Sequence, residues 1–316
     1  MATITVSPVP VSPRDDAIQL YKAFKGLGCD TATVIGILAH RDATQRAYIR
    51  QEYQTMYAQD ILKRLASELS GHLQIAVSYW MHDPAARDAH ILRKGLTRNF
   101  IDLESVTEVI CSRTSSQLQA VTQIYHSTFG THLENDIKLQ IFGDNQKMLL
   151  AYISKQRHEG MEVDREMAAK DAKALYKAGE KRLGTDEKVF VQIFSERSRA
   201  HLVAINTCYH DMYDGSLKKA VKKETSGLFK TALLTILQCA ENPAKYFAKM
   251  LYKAMKGLGT FDTRLIRVIV TRVEIDMQYI KAEYRKKYNK SLNDAVHSET
   301  SGHYRTFLLS LLGPNH

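Results

Sequence analysis

Turn-forming residues are scarce in this chain, with 6 prolines and 16 glycines in 316 residues. A β-sandwich or barrel needs a turn about every ten residues, so this scarcity argues against one and favours helices. Cysteine is also sparse: four residues and no C-x-x-C spacing exclude a disulfide scaffold and a zinc ribbon. Long apolar runs are missing. Mostly apolar stretches such as Thr231 to Leu237 stop far short of the ~20 residues that span a bilayer. The opening MATITVSPVPVSP has no charged start and no apolar core of the signal-peptide kind. A cytoplasmic protein is therefore expected, with the Asn289-Lys290-Ser291 sequon coincidental. Acidic residues are the minority charge, 34 against 44 Lys and Arg, which leaves a net charge of +10. Such a surplus favours a polyanionic partner, either nucleic acid or an anionic membrane surface. The 44% hydrophobic and 25% charged fractions are those of a globular chain and exclude disorder.

What the chain has is repetition. Arg41, Arg113, Arg197 and Arg272 are each followed after 12 residues by Tyr53, Tyr125, Tyr209 and Tyr284. After 16 residues come Tyr57, Phe129, Tyr213 and Tyr288, and after 30 come Gly71, Gly143, Gly227 and Gly302. Three residues before each arginine stands Leu38, Ile110, Phe194 or Ile269. Four copies of one module follow. The marker glycines are 72, 84 and 75 residues apart, and the long gap holds a polar insert, Ser154 to Arg165. The chain thus reads as two sequential pairs of repeats joined by a linker. The boundaries are an N-terminal arm 1–13, repeat 1 over 14–82, repeat 2 over 83–153, a linker 154–166, repeat 3 over 167–241 and repeat 4 over 242–316.

Each repeat reads as helical. The run Leu265, Ile266, Val268, Ile269 and Val270 is too wide a stripe for a surface helix and predicts a buried one. Ser12-Pro13, Asp83-Pro84 and Asn242-Pro243 each place a capping residue before a proline and open repeats 1, 2 and 4. Gly313-Pro314 closes the last helix. Pro8 and Pro10 suit an extended arm. The repeated arginine is read as a structural guanidinium that satisfies helix-end carbonyls, since an uncompensated buried charge is costly. No catalytic residue is expected.

Two loops carry chemistry. Phe24-Lys25-Gly26-Leu27-Gly28 and Met255-Lys256-Gly257-Leu258-Gly259 interrupt helical patterns, and Glu68 and Glu299 follow their first glycines by 42 residues. Glycine permits positive φ, so such a turn gathers backbone carbonyls. Carbonyls with one carboxylate suit calcium, and they leave coordination places open for water or a ligand's phosphate.

The four modules, the KGLG loops and the paired glutamates resemble the annexins, plant annexins in particular, from about Arg14 onward. The resemblance implies an all-α fold of four repeats, five helices each, wound as a right-handed superhelical curved disc. It implies calcium as cofactor and calcium-dependent binding of anionic phospholipid membranes, peripheral when calcium rises, in place of nucleic acid. It assigns the carbonyls of Phe24, Gly26 and Gly28 with Glu68 to a repeat 1 site. Met255, Gly257, Gly259 and Glu299 form the repeat 4 site. Gly179, Arg182, Gly184 and Glu224 resemble a longer third-repeat site. Repeat 2 has Leu96-Thr97-Arg98-Asn99 and Gln140 in these places, so no site is expected there. Leu27 and Leu258, at the loop tips, are expected to contact the membrane, the alternative being leucines tucked against their own helices. The family's ion pairs imply Asp88 with Arg113 and Glu108 with Arg267.

Further readings are weaker in the residues. His40 corresponds to a histidine linked to peroxidase-like activity in some plant annexins, but no haem pocket is readable, and a structural histidine is the expectation. No G-x-x-x-x-G-K-[ST] supports a nucleotide hydrolase. Ile266-Arg267-Val268 is the nearest match to an Ile-Arg-Ile segment discussed for actin. Cys29 stands near a helix start, a setting that favours thiolate, but an inert loop cysteine is the expectation. Cys111 and Cys239 are expected as packed core thiols. A calcium-independent helical scaffold is the remaining alternative, and the paired loops and glutamates argue against it.

Overall fold

A computed structural model describes residues 1–6, 11–26 and 28–315. Among the described residues there are twenty α-helices, one short 3-10 turn and no strand. Repeat 1 holds α1 (Pro13–Ala23), α2 (Thr31–Leu38), α3 (Ala43–Tyr57), α4 (Ile61–Glu68) and α5 (Gly71–Trp80). Repeat 2 holds α6 (Pro84–Gly95), α7 (Leu103–Ser112), α8 (Ser115–Phe129), α9 (Leu133–Gln140) and α10 (Gly143–Ser154). Repeat 3 holds α11 (Arg165–Ala178), α12 (Glu187–Glu196), α13 (Arg199–Tyr213), α14 (Leu217–Glu224) and α15 (Gly227–Glu241). Repeat 4 holds α16 (Pro243–Met255), α17 (Asp262–Arg272), α18 (Met277–Tyr288), α19 (Leu292–Glu299) and α20 (Gly302–Leu312).

The caps sit where the sequence places them. The Ser12 hydroxyl accepts from Asp15 N–H, Asp83 Oδ1 from Ala85 and Ala86 N–H, and Asn242 Oδ1 from Lys245 N–H. Repeat 3 lacks the proline, and Asp164 alone caps α11, which therefore begins inside the expected linker. Each marker glycine opens a fifth helix at positive φ, 60°, 66°, 55° and 57°. A side chain there would strain the backbone. Marker aromatics tie the first helix to the third: Tyr21 stacks on Tyr57, Tyr176 on Tyr213 and Tyr252 on Tyr288, each with ring centroids 3.8 Å apart. In repeat 2, His90 meets Phe129 edge-on instead.

The repeated arginine corrects one expectation. Its main partner is a carboxylate on the first helix of its own repeat, not a set of helix-end carbonyls. Arg41 grips Asp16 at 2.7 and 2.9 Å, Arg113 grips Asp88 at 2.6 and 2.8 Å, and Arg197 grips Asp171 at 2.6 and 3.2 Å. The forked guanidinium matches a carboxylate in a way carbonyls do not. In repeat 4 the aspartate's place is Phe247; Arg272 stacks over that ring and pairs with Asp276 instead.

The spatial pairing of repeats also differs from the sequential pairing. One compact unit is Met1–Arg87 with Phe247–His316, and the other is Asp88–Tyr246. Repeats 1 and 4 thus share one core, and repeats 2 and 3 another. In each unit the second and fifth helices pack: α17 against α5 and α20, α2 against α20, then α7 against α15 and α10 against α12. This is why α17 is buried from Leu265 through Arg272. In the first unit, the guanidinium groups of Arg46 and Arg87 lie over the Trp80 ring, 3.8 and 5.0 Å from its centroid, and both arginines reach Glu274 at 3.2 Å. The start of the arm follows repeat 4, with Thr3 N–H donating to Val273 O and its hydroxyl to Leu311 O. Pro8 and Pro10 lie outside the described residues.

Candidate functional site

Within each repeat, the first helix leads through a loop to the second, and the backbone closes the loop at its neck. Asp30 N–H donates to Ala23 O, Asp102 to Gly95 O, Asp186 to Ala178 O and Phe261 to Ala254 O. The neck spans seven residues in repeats 1, 2 and 4, and eight in repeat 3. The glutamates expected as ligands are the last residues of α4, α14 and α19. Each therefore sits at a helix C-terminus beside the C-terminal end of its repeat's first helix. Helix C-termini carry partial negative charge and favour a cation.

In repeat 4 the loop glycines have φ 116° at Gly257 and 89° at Gly259. Met255 is buried at the end of α16, whereas Leu258 projects fully into solvent. The Thr260 hydroxyl lies 3.1 Å from Glu299 Oε2 and 3.3 Å from Glu299 O, so it holds loop and glutamate together. Glu299 itself is exposed.

In repeat 1 the glycines match, with φ 114° at Gly26 and 96° at Gly28. Phe24 is buried, and Leu27 lies outside the described residues. The threonine's place is taken by Cys29. Here Arg64 of α4 brings loop and glutamate together, with Nη2 donating to Phe24 O at 2.9 Å and pairing with Glu68 Oε1 at 2.7 Å. Burial and then the charge of Glu68 help to raise the Cys29 pKa above its ordinary value, while a hydrogen bond with Thr31 works in the opposite direction. This direction runs against a thiolate and accords with the expected inert loop cysteine.

Repeat 3 repeats the plan with a longer loop. A Cβ on Gly179 would stand 3.0 Å from Glu224 Cγ, so a side chain there would crowd the glutamate. Gly184 has φ 78°, and the Thr185 hydroxyl donates to Glu224 O at 2.8 Å and lies 3.3 Å from its Oε2. The Arg182 guanidinium pairs with Asp186 at 3.7 Å. Leu183, at the tip, is fully exposed.

Repeat 2 differs throughout. Its loop winds into a 3-10 turn over Arg98–Phe100 and contains no positive-φ glycine. Gly95 lies within α6, against Val106. Gln140 offers no carboxylate. The corner between first and fourth helices is closed by Arg93 and Asp136, 2.5 Å apart, with the Tyr125 hydroxyl on the same carboxylate.

The remaining candidates lie away from these junctions. Asp88 and Arg113 pair as expected, while Glu108 and Arg267 are buried within α7 and α17. His40 Nδ1–H donates to Thr5 O, which fits a structural role. Ile266, Arg267 and Val268 are buried and offer an actin-like partner no surface. Cys111 and Cys239 are buried free thiols, and burial pushes the Cys111 pKa far up. Sequence reasoning missed the Thr185 and Thr260 clamps, although a threonine follows the last loop glycine in both repeats. It also missed Leu183 and Arg64.

The donor set of these junctions, glycine-loop carbonyls with one carboxylate, fits a hard divalent cation. Among the described residues no cluster of three His, Cys, Asp or Glu side chains is present, so the set differs from that of a transition-metal centre.

A sequence model of the annexin family matches residues 15–79, 87–152, 170–236 and 246–311. The chain is 53% identical to Annexin D5 of Arabidopsis thaliana over 315 residues, covering 100% of both. The solved structure titled annexin III superposes with a TM-score of 0.96 at 35% identity, covering 100% of this chain and 98% of that one. A calcium-bound structure, annexin (Sm)1, superposes with a TM-score of 0.84 at 28% identity, covering 100% and 94%.

Proposed function

The chain belongs to the annexin family, and as an annexin we propose that it binds anionic phospholipid through calcium held at the loop–glutamate junctions of repeats 1, 3 and 4. Annexins are known for calcium-dependent phospholipid binding. One observation carries the reading for this chain: each of these glutamates is tied directly to its own repeat's loop, by Thr260, Thr185 or Arg64.

Phe24, Gly26 and Gly28 would lend carbonyl oxygens and Glu68 its carboxylate in repeat 1. Met255, Gly257, Gly259 and Glu299 would do so in repeat 4, and Gly179, Arg182, Gly184 and Glu224 in repeat 3. Calcium takes about six to eight oxygens, more than these sets supply, and the remainder falls to water and lipid phosphate. When bound, the ion supplies a positive bridge between carboxylate and phosphate. Leu183 and Leu258 stand exposed at the loop tips, suited to shallow insertion among head groups. A leucine buried in full contributes about 1.5–3 kcal/mol, so the pair assists the bridge without replacing it. The net charge of +10 adds a diffuse attraction to the same surface. Among the described residues no helix is long and apolar enough to cross a membrane, which fits peripheral attachment of a cytoplasmic protein when calcium rises.

The test is co-sedimentation with phosphatidylserine–phosphatidylcholine vesicles across a calcium series. Combining Glu68→Gln, Glu224→Gln and Glu299→Gln is expected to raise the half-maximal calcium concentration at least ~tenfold, since each removes a site's one charged ligand. Sedimentation matching that of the unaltered protein overturns the reading.

A further inference from the structure

Among the described residues, repeat 1 alone has a cation that touches both its loop carbonyl and its glutamate; in repeat 3 the cation beside the glutamate is Lys223, 4.0 Å from Glu224 Oε1. A single nitrogen, Arg64 Nη2, lies 2.9 Å from Phe24 O and 2.7 Å from Glu68 Oε1. These are two of the oxygens that repeat 1 would offer to calcium. The position four residues before the glutamate holds Arg64 in repeat 1, but Ala220 in repeat 3 and Ala295 in repeat 4. In repeat 2 it holds Asp136, which is engaged by Arg93. The threonine that steadies the glutamate in repeats 3 and 4 is also replaced, by Cys29.

Granting the calcium reading, on which this rests, we propose that the Arg64 guanidinium is a tethered competitor for calcium in repeat 1. It occupies the carbonyl and carboxylate in calcium-free protein and must leave before the ion enters. Three features support the assignment. The guanidinium keeps its charge at every physiological pH, so it competes under all conditions in which calcium is present. It sits on an eight-residue helix whose end already carries Glu68, so its local concentration is fixed by the fold. The Arg64 side chain is 38% exposed, which leaves it room to swing into solvent, or toward a lipid phosphate, once displaced. Arg64 also takes over the positioning that a hydroxyl performs in repeats 3 and 4. Repeat 1 is thus ordered without metal and responds only at higher calcium than repeat 4.

The probe is calcium alone, titrated by calorimetry into protein carrying Glu224→Gln and Glu299→Gln, so that only repeat 1 responds. Adding Arg64→Ala is expected to tighten calcium binding about three- to tenfold, the range for losing a partly exposed ion pair with a supporting hydrogen bond. Combining it with Cys29→Thr restores the hydroxyl and is expected to give at least the upper end of that range. Lys63→Ala, which removes an exposed neighbouring charge outside the junction, is expected to change affinity less than about twofold. A second readout is independent of affinity. The Arg64 side-chain N–H signal, assigned by its loss in Arg64→Ala, is expected to be protected from exchange without calcium and to lose protection when calcium saturates.

If calcium heat that Glu68→Gln abolishes is missing from the parent, the calcium reading falls and the proposal with it. If that heat is present but Arg64→Ala and the double variant leave it unchanged or weaker, the proposal alone falls. It also falls if Lys63→Ala tightens binding as much as Arg64→Ala, because the effect is then one of general charge.

Discussion

Repeats 4 and 2 are built alike and equipped differently. Both close the first loop with the same backbone bond across seven residues, Phe261 N–H to Ala254 O and Asp102 N–H to Gly95 O. Both open the fifth helix on a positive-φ glycine, 57° at Gly302 and 66° at Gly143. Yet repeat 4 carries Gly257, Gly259, Thr260 and Glu299, where repeat 2 carries Arg98, Phe100, Ile101 and Gln140. In repeat 2 a 3-10 turn and the Arg93–Asp136 pair occupy the corner where repeat 4 has its glycine loop and Glu299. The loop positions bear none of the core, which is made by residues such as Tyr125 and Tyr284 on the third helices. A module therefore gains or loses its loop–glutamate junction while keeping the same five-helix frame.

That contrast can be sharpened at the loop tips. Leu183 and Leu258 are exposed beside candidate junctions, so Leu183→Ala with Leu258→Ala is expected to leave calcium capture intact and speed release. Chelator-triggered dissociation from vesicles, followed by stopped flow, should accelerate about tenfold or more, as for losing two shallowly buried leucines. Unchanged release would mean that the contact is polar throughout.

A smaller effect is expected from the clamp. Thr260→Val removes the hydroxyl that joins loop to Glu299 and keeps the side chain's volume. The calcium affinity of repeat 4, titrated in a Glu68→Gln, Glu224→Gln background, should fall about three- to tenfold, the range for one hydrogen bond to a charged group. The melting temperature should shift little, because Glu299 is exposed. An unaltered affinity would make the threonine a bystander and leave the glycines and glutamate as the whole of the difference between repeats.

Much of this was legible in the sequence because it recurs. The helices, their proline-led caps and the place of each glutamate all follow from offsets that appear two to four times. The aspartates that pair with the marker arginines recur too: Asp16, Asp88 and Asp171 precede Arg41, Arg113 and Arg197 by 25, 25 and 26 residues. Only the Asp88 pair was anticipated, through the family's ion pairs. Two features left no such trace. The pairing of repeat 1 with repeat 4 closes a long stretch of chain and has no period of its own. Arg64 occurs in a single repeat, and its effect depends on how far one flexible side chain reaches, which spacing does not encode.

The most direct test of the central claim is anomalous diffraction from crystals grown with calcium and a short-chain phosphatidylserine, for this protein and for Gln140→Glu. Calcium should bind only where a positive-φ glycine loop and a glutamate coincide. The account predicts calcium peaks beside Glu68, Glu224 and Glu299, and none in the repeat 2 loop of either protein, because a carboxylate alone does not gather the carbonyls. A calcium peak in repeat 2 of Gln140→Glu, or no peak beside Glu299 in the unaltered protein, would contradict it.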